Sequence, residues 1–252
     1  MKQYGKRNVG AIILAAGKGK RMKSGLAKVL HPLCGKPLLT YSVDVARAVG
    51  VGKIAVVIGH QADVVRDMFR DQGLIFVEQR EQLGTGHAVL QAKDTFHNCD
   101  GTILILCGDV PLLLPSTVES LIENHVSEKA TLTVLTTLLD DPSGYGRVIK
   151  RRVEGEVLRI VEEKDASPDE KKIKEINTGI YCVECKFLFR AVEEIGNENV
   201  QKEYYLTDIV GIAWKKGFKT RSLIAANSSE VMGINTLEDL ERASAYIICK
   251  SE

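Results

Sequence analysis

A glycine-rich segment near the amino-terminal end of the chain carries an unusual density of positive charge. It reads Leu14-Ala15-Ala16-Gly17-Lys18-Gly19-Lys20-Arg21-Met22, and Lys23 and Lys28 follow it. Small residues let a backbone approach a phosphate group closely, and free main-chain amides can then bind the phosphate oxygens. The charge suits a triphosphate better than a lone phosphate. A solvated basic loop would carry the same charge, so the position of the segment in the fold has to decide between the two.

Two familiar phosphate-binding motifs fail at one residue of this segment. A Walker A loop would place a glycine directly before Lys23-Ser24, but Met22 stands there. A dinucleotide-binding motif that starts at Gly17 and Gly19 would also need its third glycine at Met22. The sequence therefore disfavours a NAD-binding oxidoreductase and indicates a phosphate loop of another kind.

A carboxylate follows a second apolar run of the chain. Residues Thr102 to Cys107 are typical of a buried strand, and Gly108 and Asp109 come directly after it. Open α/β sheets bind ligands at the carboxyl edge of their strands, so we expect Asp109 to lie beside the glycine-rich segment. A hard oxygen ligand at that edge suits Mg²⁺. The alternative role of Asp109 is to form a turn before Pro111.

The segment Gly84-Thr85-Gly86 precedes residues with helical spacing that begin at His87. Its free amides could bind a base edge or a phosphate oxygen. Helix capping and chain turning require the same residue types, which leaves a structural role open. Because His87 has no carboxylate or nucleophile partner in view, we predict that it is a structural helix residue.

The chemistry-bearing segments lie between short apolar runs that alternate with helical patterns. This alternation predicts an α/β fold: a Rossmann-like, doubly wound and mostly parallel sheet with helices on both faces. The predicted strands are Val9 to Ala15, Lys53 to Ile58, Leu74 to Val77, Thr102 to Cys107 and Thr131 to Leu138. The predicted helices are Pro37 to Val49, Asp63 to Asp71, His87 to Thr95 and Ser116 to Glu128.

The pattern changes after Asp140, and we predict a small α+β portion there. Residues 141–146 have turn chemistry, and Arg147 to Ile149 followed by Val157 to Val161 indicate a hairpin around Glu154-Gly155. Residues 164–175 are expected to form an exposed loop or short helix, and a helix is expected from Thr236 to about Cys249. We interpret the whole of 1–252 as one domain, with parts at about 1–140, 141–235 and 236–252.

Composition excludes several classes of function. Lysine and arginine (34) nearly balance aspartate and glutamate (33), for a net charge of +1, so no electrostatic footprint for nucleic acid or anionic lipid is present. No segment is apolar for long enough to span a membrane, and residues 1–7 lack the apolar core of a signal peptide. Six cysteines in mostly apolar surroundings favour a reduced, cytoplasmic protein.

Two of those cysteines, Cys182 and Cys185, have the spacing of a metal or redox pair. Zinc needs four ligands, and no second pair or histidine cluster lies nearby in the sequence. We therefore predict that they pack at the end of a strand.

The glycine-rich segment and several later motifs resemble the nucleotide-diphospho-sugar pyrophosphorylases. The amino-terminal signature is residues 14–22 with Lys28-Val29-Leu30. Within the family, the chain is similar to the N-acetylglucosamine-1-phosphate uridylyltransferases of bacterial cell-wall synthesis. The motifs that carry this closer resemblance are Gln82 to Ala88, Gly108-Asp109-Val110-Pro111, Gly144-Tyr145-Gly146-Arg147, Glu162, Glu175 to Gly179, Glu203 to Asp208 and Val231 to Asn235. They cover nearly the whole chain in order.

The resemblance implies an activity and a set of site residues. It implies a transferase that forms UDP-N-acetylglucosamine and pyrophosphate from UTP and N-acetylglucosamine-1-phosphate, with Mg²⁺ as cofactor. The implied metal ligands are Asp109 and Asn235, and the implied catalytic residues are Arg21 and Lys28. The implied nucleotide contacts are Leu14, Ala15, Ala16, Gly17, Lys28, Gln79, Gly84, Thr85 and Gly108, with Gln79 and Gly84 reading the uracil edge. The implied sugar contacts are Gly146, Glu162, Asn177, Tyr205 and Thr207.

Two departures from the family and several alternatives stay open. The family usually has proline before the lysine at Lys28, whereas Ala27 stands here and is expected to loosen the loop. Bifunctional members also carry an acetyltransferase domain of hexapeptide repeats, which nothing in this chain resembles. Asn235 could be a helix cap, and Tyr204 and Tyr205 could be core residues. Another sugar-1-phosphate nucleotidyltransferase, such as one for glucose-1-phosphate, or a non-catalytic nucleotide-sugar sensor are the alternative functions, and the oligomeric state is undetermined.

Overall fold

The computed structural model describes residues 8–151 and 155–251. The basic start of the chain and Glu154 of the predicted hairpin turn lie outside the described residues. The strands are β1 (Val9–Ala15), β2 (Pro32–Leu33), β3 (Lys36–Pro37), β4 (Lys53–Ile58), β5 (Ile75–Glu78), β6 (Thr102–Cys107), β7 (Leu132–Leu138), β8 (Arg147–Lys150), β9 (Val157–Val161), β10 (Glu175–Glu184) and β11 (Thr220–Ile224). The α-helices are α1 (Leu38–Ala48), α2 (Ala62–Met68), α3 (Thr85–Leu90), α4 (Pro115–Ser127), α5 (Cys185–Glu193), α6 (Asp208–Lys215) and α7 (Leu237–Ser251).

A mixed, mostly parallel sheet forms the centre of the molecule. Its main path runs β11-β7-β10-β6-β1-β4-β5, and β8 and β9 extend it from β10. The strands β6, β1, β4 and β5 are parallel neighbours, as are β7 and β11. β10 lies between β6 and β7 and is antiparallel to both. The predicted doubly wound, mostly parallel sheet is confirmed, with one reversed strand at its centre.

Each face of the sheet is covered by helices and buries its own apolar core. One core combines β1, β4 and β6 with side chains of α1, α2 and α4. The other combines the opposite faces of the same strands with α3, α5 and α6. Burial on both faces explains why these strands are apolar throughout and were predicted from apolar runs alone. The sheet is therefore a rigid platform for the loops at its edge.

The structure differs from the sequence prediction mainly in the second half of the chain. β1, β4 and β6 have the predicted bounds, and the predicted hairpin forms as antiparallel β8 and β9. The strands β10 and β11 and the helices α5 and α6 were not predicted. Strands from both predicted parts pair within one sheet, while the part boundaries themselves stay predictions.

The third predicted helix is shorter and begins earlier than expected. α3 begins at Thr85 and ends at Leu90, and a separate 3-10 turn covers Asp94–Phe96. Gly84, directly before the helix, has a φ of 118°. Few residues other than glycine adopt this backbone conformation, so the helix starts directly after it.

The strand order places the functional loops together. β1 has β4 on one side and β6 on the other, and the chain leaves β1 and β6 in the same direction. A crevice forms at such a switch point, beyond the carboxyl ends of the strands. The loops after β1 and β6 therefore lie side by side, as the sequence predicts for residues 16–22 and Asp109.

Candidate active site

The glycine-rich loop leaves β1 as an open phosphate cradle. Ala15 and Ala16 are buried, whereas Gly17 is exposed. Within the described residues, the main-chain amides of Gly17 and Lys18 donate to no protein acceptor, and a side chain added at Gly17 would meet nothing within 4 Å. Free amides beside open space can bind an anion.

The loop after β6 is joined to this cradle by its backbone. The Gly108 amide donates to the Leu14 carbonyl at 2.9 Å. A Cβ atom at Gly108 would lie 3.2 Å from that same carbonyl oxygen. Gly108 thus allows the two loops to approach closely, and its predicted nucleotide contact is compatible with this position.

The predicted catalytic and metal residues meet in one cluster at the sheet edge. Lys28 Nζ forms an ion pair with Asp109 Oδ2 and donates to Asn235 Oδ1 at 3.3 Å. Arg21 Nη2 donates to the same Asn235 oxygen at 2.8 Å. The side chains of Lys28 and Asp109 are 16% and 20% exposed, so the pair is only partly open to water. Residues separated by up to 214 positions in the chain therefore form a single charged centre.

Backbone contacts hold Asp109 and Asn235 in this arrangement. The Ile234 amide donates to the Asp109 carbonyl at 2.8 Å, and a Cβ atom at Gly233 would lie 3.5 Å from Asp109 Oδ2. The Asn235 amide donates to Asp239 Oδ2 at 2.9 Å. Thr236 Oγ1 accepts from the Asp239 amide at 3.1 Å, and Asp239 Oδ2 accepts from the Thr236 amide at 3.0 Å. These two side chains cap the start of α7, and the Asn235 side chain faces Lys28.

The oxygens of this cluster fit a divalent cation. The Lys28 ammonium group lies between Asp109 Oδ2 and Asn235 Oδ1. An ammonium group held between two oxygen atoms marks a position that favours positive charge. Carboxylate and amide oxygens are also the ligand types that Mg²⁺ prefers. The described residues contain no group of three or more His, Cys, Asp or Glu side chains suited to a metal, so a metal here would need further oxygens from water or a substrate.

The predicted base-binding residues form a second loop at the edge of the sheet. Gln79 directly follows β5, is 3% exposed, and donates from Nε2 to the Gly84 carbonyl at 3.0 Å. The same amide nitrogen lies 3.1 Å from His87 Nδ1, and the other ring nitrogen of His87 lies 3.1 Å from Gln91. His87 is held between two glutamines, which agrees with the structural role predicted for it.

This second loop is bonded to the segment that carries the predicted sugar residues. The Gly86 amide donates to the Tyr204 carbonyl at 2.8 Å, and the Tyr204 amide donates to the Leu83 carbonyl at 2.8 Å. Thr85 Oγ1 accepts a hydrogen bond from the Leu206 amide at 3.0 Å. The side chain of Thr85, predicted to contact the nucleotide, is thus engaged in joining the two segments.

Four of the five predicted sugar residues are linked to one another. Thr207 Oγ1 donates to Glu162 Oε1 at 3.0 Å, and the Asn177 amide donates to the Gly146 carbonyl at 2.9 Å. A Cβ atom at Gly146 would lie 3.4 Å from Glu162 Oε2, so glycine keeps the space beside this carboxylate open.

A cavity of about 630 Å³ is lined by Glu162, Tyr205 and Thr207 among others. Gly146 and Asn177 do not line this cavity. The Asn177 Oδ1 atom accepts hydrogen bonds from the Gly179 amide at 3.0 Å and from the Tyr181 hydroxyl at 2.9 Å.

Burial changes the ionisation of groups in this region. Burial, followed by the charges of Asp208 and other acidic neighbours, raises the pKa of Glu162, although the Thr207 hydrogen bond opposes the shift. Burial also raises the pKa of Tyr205 to about 12. Tyr205 is therefore neutral at physiological pH. It is a core residue, 7% exposed, and its contact with the sugar stays a prediction.

Three features of the site lay beyond the sequence prediction. Met22, which breaks both common phosphate motifs, is 1% exposed in a small core with Leu33, Leu38, Ile234 and, from α7, Ala243. Its burial ties the basic loop to the end of the chain. An apolar residue within a strongly charged loop is the signal that could have revealed this role.

Arg147 was quoted only as part of a motif, but it organises the turn before β8. It is 1% exposed, forms an ion pair with Glu163 at 2.7 Å and donates to the Tyr145 carbonyl. The third feature, the contact of Gln61 with Ala27, has no motif that could have announced it.

Two further sequence predictions can be compared with the structure. Ala27 was expected to loosen its loop, but it is 1% exposed, and its amide donates to Gln61 Oε1 at 2.6 Å. Proline could not make this hydrogen bond, and the expected loosening relative to proline stays a prediction. Cys182 lies within β10 and Cys185 begins α5, and both are buried as predicted for packing residues.

No helix among the described residues is long and apolar enough to cross a membrane.

The fold and this site together define an α/β nucleotide-binding protein with a charged centre at the switch point of its sheet. The family model of the MobA-like NTP transferase domain matches residues 11–168. This match covers more than half of the chain, and the chain therefore belongs to that family.

Among the similar relatives is the bifunctional protein GlmU of Geotalea daltonii, 51% identical over 240 residues, which are 95% of this chain and 52% of the relative. The bifunctional protein GlmU of Geobacter metallireducens is 50% identical over 240 residues, which are 95% of this chain and 50% of the relative. That of Brevibacillus brevis is 47% identical over 237 residues, covering 94% of this chain and 51% of the relative. The chain thus spans about half the length of the curated relatives it matches.

Solved structures share the same fold. UDP-glucose pyrophosphorylase in complex with UDP-glucose superimposes with a TM-score of 0.76 at 18% identity, covering 96% of this chain and 98% of that one. The apo form of a UDP-glucose pyrophosphorylase gives a TM-score of 0.76 at 17% identity, covering 97% and 100% of the two chains. At this level of identity the likeness concerns the architecture alone.

Proposed function

We propose that the chain transfers the uridylyl group of UTP to N-acetylglucosamine-1-phosphate, forming UDP-N-acetylglucosamine and pyrophosphate. The observation that carries the proposal is the convergence of Arg21, Lys28, Asp109 and Asn235 beside a loop with free amides. About 50% identity to bifunctional GlmU proteins over 95% of the chain supports it, as does membership of an NTP transferase family.

The proposed reaction is an in-line attack of the sugar phosphate oxygen on the α-phosphorus of UTP, with pyrophosphate as leaving group. The attacking phosphate is already ionised at neutral pH, so no protein nucleophile and no general base are required. Positioning and neutralisation of charge lower the barrier. Lys28 and Arg21 supply positive charge at the point where the oxygens of Asp109 and Asn235 converge.

Asp109 and Asn235 would hold Mg²⁺ in this proposal, with phosphate oxygens completing its coordination. The metal would neutralise charge on the reacting phosphates. Lys28 would then contact phosphate in place of Asp109, because the ammonium group and a cation cannot occupy the same position. The free amides of Gly17 and Lys18 hold the phosphate oxygens, and the loop of Gln79 and Gly84 receives the uracil ring.

The sugar is proposed to bind beside Glu162, where Thr207 and Tyr205 line the cavity. Glu162 would accept a hydrogen bond from a sugar hydroxyl, and Tyr205 would lie against the acetamido group. Glucose-1-phosphate would leave the acetamido position empty and nearby polar groups without partners. Each unsatisfied group costs roughly 1–3 kcal/mol, so we expect a preference of roughly ten-fold to a few hundred-fold for the acetylated sugar.

The test is pyrophosphate release measured across nucleoside triphosphates and sugar phosphates under one set of conditions. We expect the highest kcat/KM with UTP and N-acetylglucosamine-1-phosphate, and a lower value with glucosamine-1-phosphate or glucose-1-phosphate. Equal values for the acetylated sugar and for glucose-1-phosphate would contradict the acetamido pocket. Binding of the sugar nucleotide without any turnover would indicate a sensor and overturn the enzymatic proposal.

The substrates in this proposal are small molecules. The buried thiols of Cys182 and Cys185 pack as reduced cysteines do, and together with the substrates they support a cytoplasmic location as part of the same proposal.

A further inference from the structure

The side chain of Gln61 joins two segments of the basic loop from outside it. Gln61 Oε1 accepts a hydrogen bond from the Ala27 amide at 2.6 Å. Gln61 Nε2 donates to the Gly25 carbonyl at 2.7 Å. The carboxamide therefore satisfies a donor and an acceptor of the short segment that leads directly into Lys28.

The backbone of Gln61 is held in a conformation that non-glycine residues seldom adopt. Its φ is 54° and its ψ is 41°, in the left-handed region, directly before α2. Such a conformation is strained for a residue with a side chain and persists where surrounding contacts determine it. Here the neighbouring His60 amide donates to the Ala16 carbonyl at 3.3 Å. A Cβ atom at Gly59 would lie 2.9 Å from the same oxygen. The turn of Gln61 is thus packed against the phosphate cradle.

Ala27 connects the Gln61 side chain to Lys28 through its own backbone. Its amide is bonded to Gln61, and its carbonyl accepts from the Leu30 amide at 2.9 Å. The φ of Ala27 is −56°, which is the value that a proline ring would impose. Lys28 also packs against Gly19, where an added Cβ would lie 2.7 Å from the Lys28 Cβ atom. The direction of the Lys28 side chain is therefore set by contacts on both sides.

We propose that Gln61 is a positioning residue for Lys28. Its side-chain hydrogen bond to the Ala27 amide fixes the segment that leads into Lys28. The inference rests on the proposed uridylyl transfer and adds a residue to it. Gln61 touches no reacting atom, so it acts on the rate through the orientation of Lys28. A displacement of the lysine by even 1 Å would reduce the rate of a reaction that depends on positioned charge.

The first test is Gln61→Gly, which removes the carboxamide and leaves the left-handed backbone comfortable. We expect kcat for pyrophosphate release to fall about ten-fold, with the KM values of both substrates within about two-fold of the wild type. Lys129→Gly is the matched control, because Lys129 is exposed, has a φ of 50° and follows α4 away from the site. This control should retain the wild-type kcat, and both variants should melt close to the wild-type temperature.

The decisive test is the same substitution in an Ala27→Pro background. Proline removes the amide that Gln61 accepts from and fixes φ itself, but its ring would collide with the Gln61 oxygen, which lies 2.6 Å from the Ala27 nitrogen. Gln61→Gly removes that oxygen, so we expect the double variant to recover a kcat within about two-fold of the wild type. A double variant no faster than Gln61→Gly alone would overturn the proposal, as would an unchanged kcat in the single Gln61→Gly variant.

A readout without turnover separates this proposal from the proposed function. Hydrogen exchange of the Ala27 amide should become at least about ten-fold faster in Gln61→Gly and stay unchanged in Lys129→Gly. If the wild type releases no pyrophosphate, the proposed function fails, and the exchange measurement still decides whether Gln61 fixes the loop. Unchanged exchange in Gln61→Gly would refute the positioning role whatever the activity.

Discussion

Lys28 lies between two oxygens that are proposed to bind a metal. Its positive charge balances the negative charge of the Asp109 carboxylate. Asp109 and Asn235 have converging oxygens, and the ammonium group balances them before substrates arrive. A carboxylate left without a partner in a partly buried place would be costly. The lysine therefore stabilises the two converging oxygens of the site.

At Asp109 we predict that substitution by alanine removes activity without unfolding the chain. Asp109→Ala should lower kcat by about a hundred-fold or more at saturating Mg²⁺, because a charged ligand is lost. The fold should persist, since the Ile234 amide bonds the main chain of Asp109 and not its side chain. Pyrophosphate release and thermal melting measure the two effects. Asp109→Asn keeps an oxygen but loses the charge, so its kcat should lie between those of Asp109→Ala and the wild type. A kcat of Asp109→Ala within a few-fold of the wild type would reject the metal assignment.

For Lys28 and Arg21 we predict that removal of either charge lowers kcat more than it weakens sugar binding. Both are assigned to charge that develops in the transition state, so Lys28→Ala and Arg21→Ala should leave the KM for the sugar phosphate nearly unchanged. Lys36→Ala, at an exposed position on β3, serves as control. Steady-state kinetics with each substrate varied in turn would check this. If only KM rises, the residue concerned is a binding contact.

At the scale of elements, the loop proposed for uracil and the segment proposed for the sugar are physically one unit. Three main-chain amides connect residues 83–86 with residues 204–206. A shift of one segment therefore shifts the other. Nucleotide binding at residues 83–86 should therefore change the position of residues 204–206 through these hydrogen bonds.

Gly84 is the point where this connection can be tested. Its φ is 118°, and a Cβ atom would lie 2.5 Å from the Tyr204 carbonyl oxygen. We predict that Gly84→Ala lowers the free energy of unfolding by about 1–3 kcal/mol from backbone strain alone. It should also raise the KM values of both UTP and the sugar phosphate, because it separates the two segments. Urea denaturation and steady-state kinetics measure these effects.

Gly50→Ala is the matched control for that prediction. Gly50 has a φ of 76°, and an added Cβ would meet nothing within 4 Å. It should lose about 1–2 kcal/mol of stability and keep both KM values. If Gly84→Ala raised the KM for UTP only, the two segments would be independent.

The elements also show where sequence patterns are sufficient and where they are not. β1, β4 and β6 were predicted with correct bounds because parallel strands buried on both faces are continuous apolar runs. β10 was missed because Asn177, Thr178 and Gly179 interrupt it. The register with β7 shifts between Asn177 and Ile180, and Gly179 has a φ of 79°. The reversed direction of β10 depends on its pairing with strands that are distant in the sequence, and no local sequence pattern indicates that pairing.

The same distinction holds for the site. Asp109 could be predicted from its place after a strand, but Asn235 could be found only by resemblance, since nothing near it in the sequence indicates a ligand. Gln61 contacts Ala27 across 34 positions and belongs to no motif. Such contacts depend on how loops pack in three dimensions, so they cannot be predicted from the local sequence around either residue.

At the scale of the whole molecule, His125 links stability to pH. It is 3% exposed, and its Nδ1 lies 3.0 Å from Thr133 Oγ1. Burial lowers the pKa of His125 to about 4. The unfolded chain therefore binds a proton at His125 more readily than the folded chain does, so this contribution to stability is present above about pH 6.5 and is lost as pH falls toward about 4.

From this we predict that the free energy of unfolding falls by about 2 kcal/mol between about pH 7.5 and about pH 5 because of His125. The comparison is the free energy of unfolding in urea at both pH values for the wild type and for His125→Gln, which keeps a polar partner for Thr133. Carboxylates contribute equally to both proteins, so the difference isolates the histidine. An equal loss in the two proteins would mean that His125 is not the group responsible.

The reversed strand at the centre of the sheet has a consequence for the synthesis of the chain. β10 pairs with β6 and β7, but it is made long after β6 has left the ribosome. Until then the nascent amino-terminal half has an apolar strand with one unpaired edge, and such edges recruit other chains. We expect a ribosome-bound chain from which β10 (Glu175–Glu184) has not yet emerged to be held by chaperones or to aggregate, and one from which all of β10 has emerged to close its sheet.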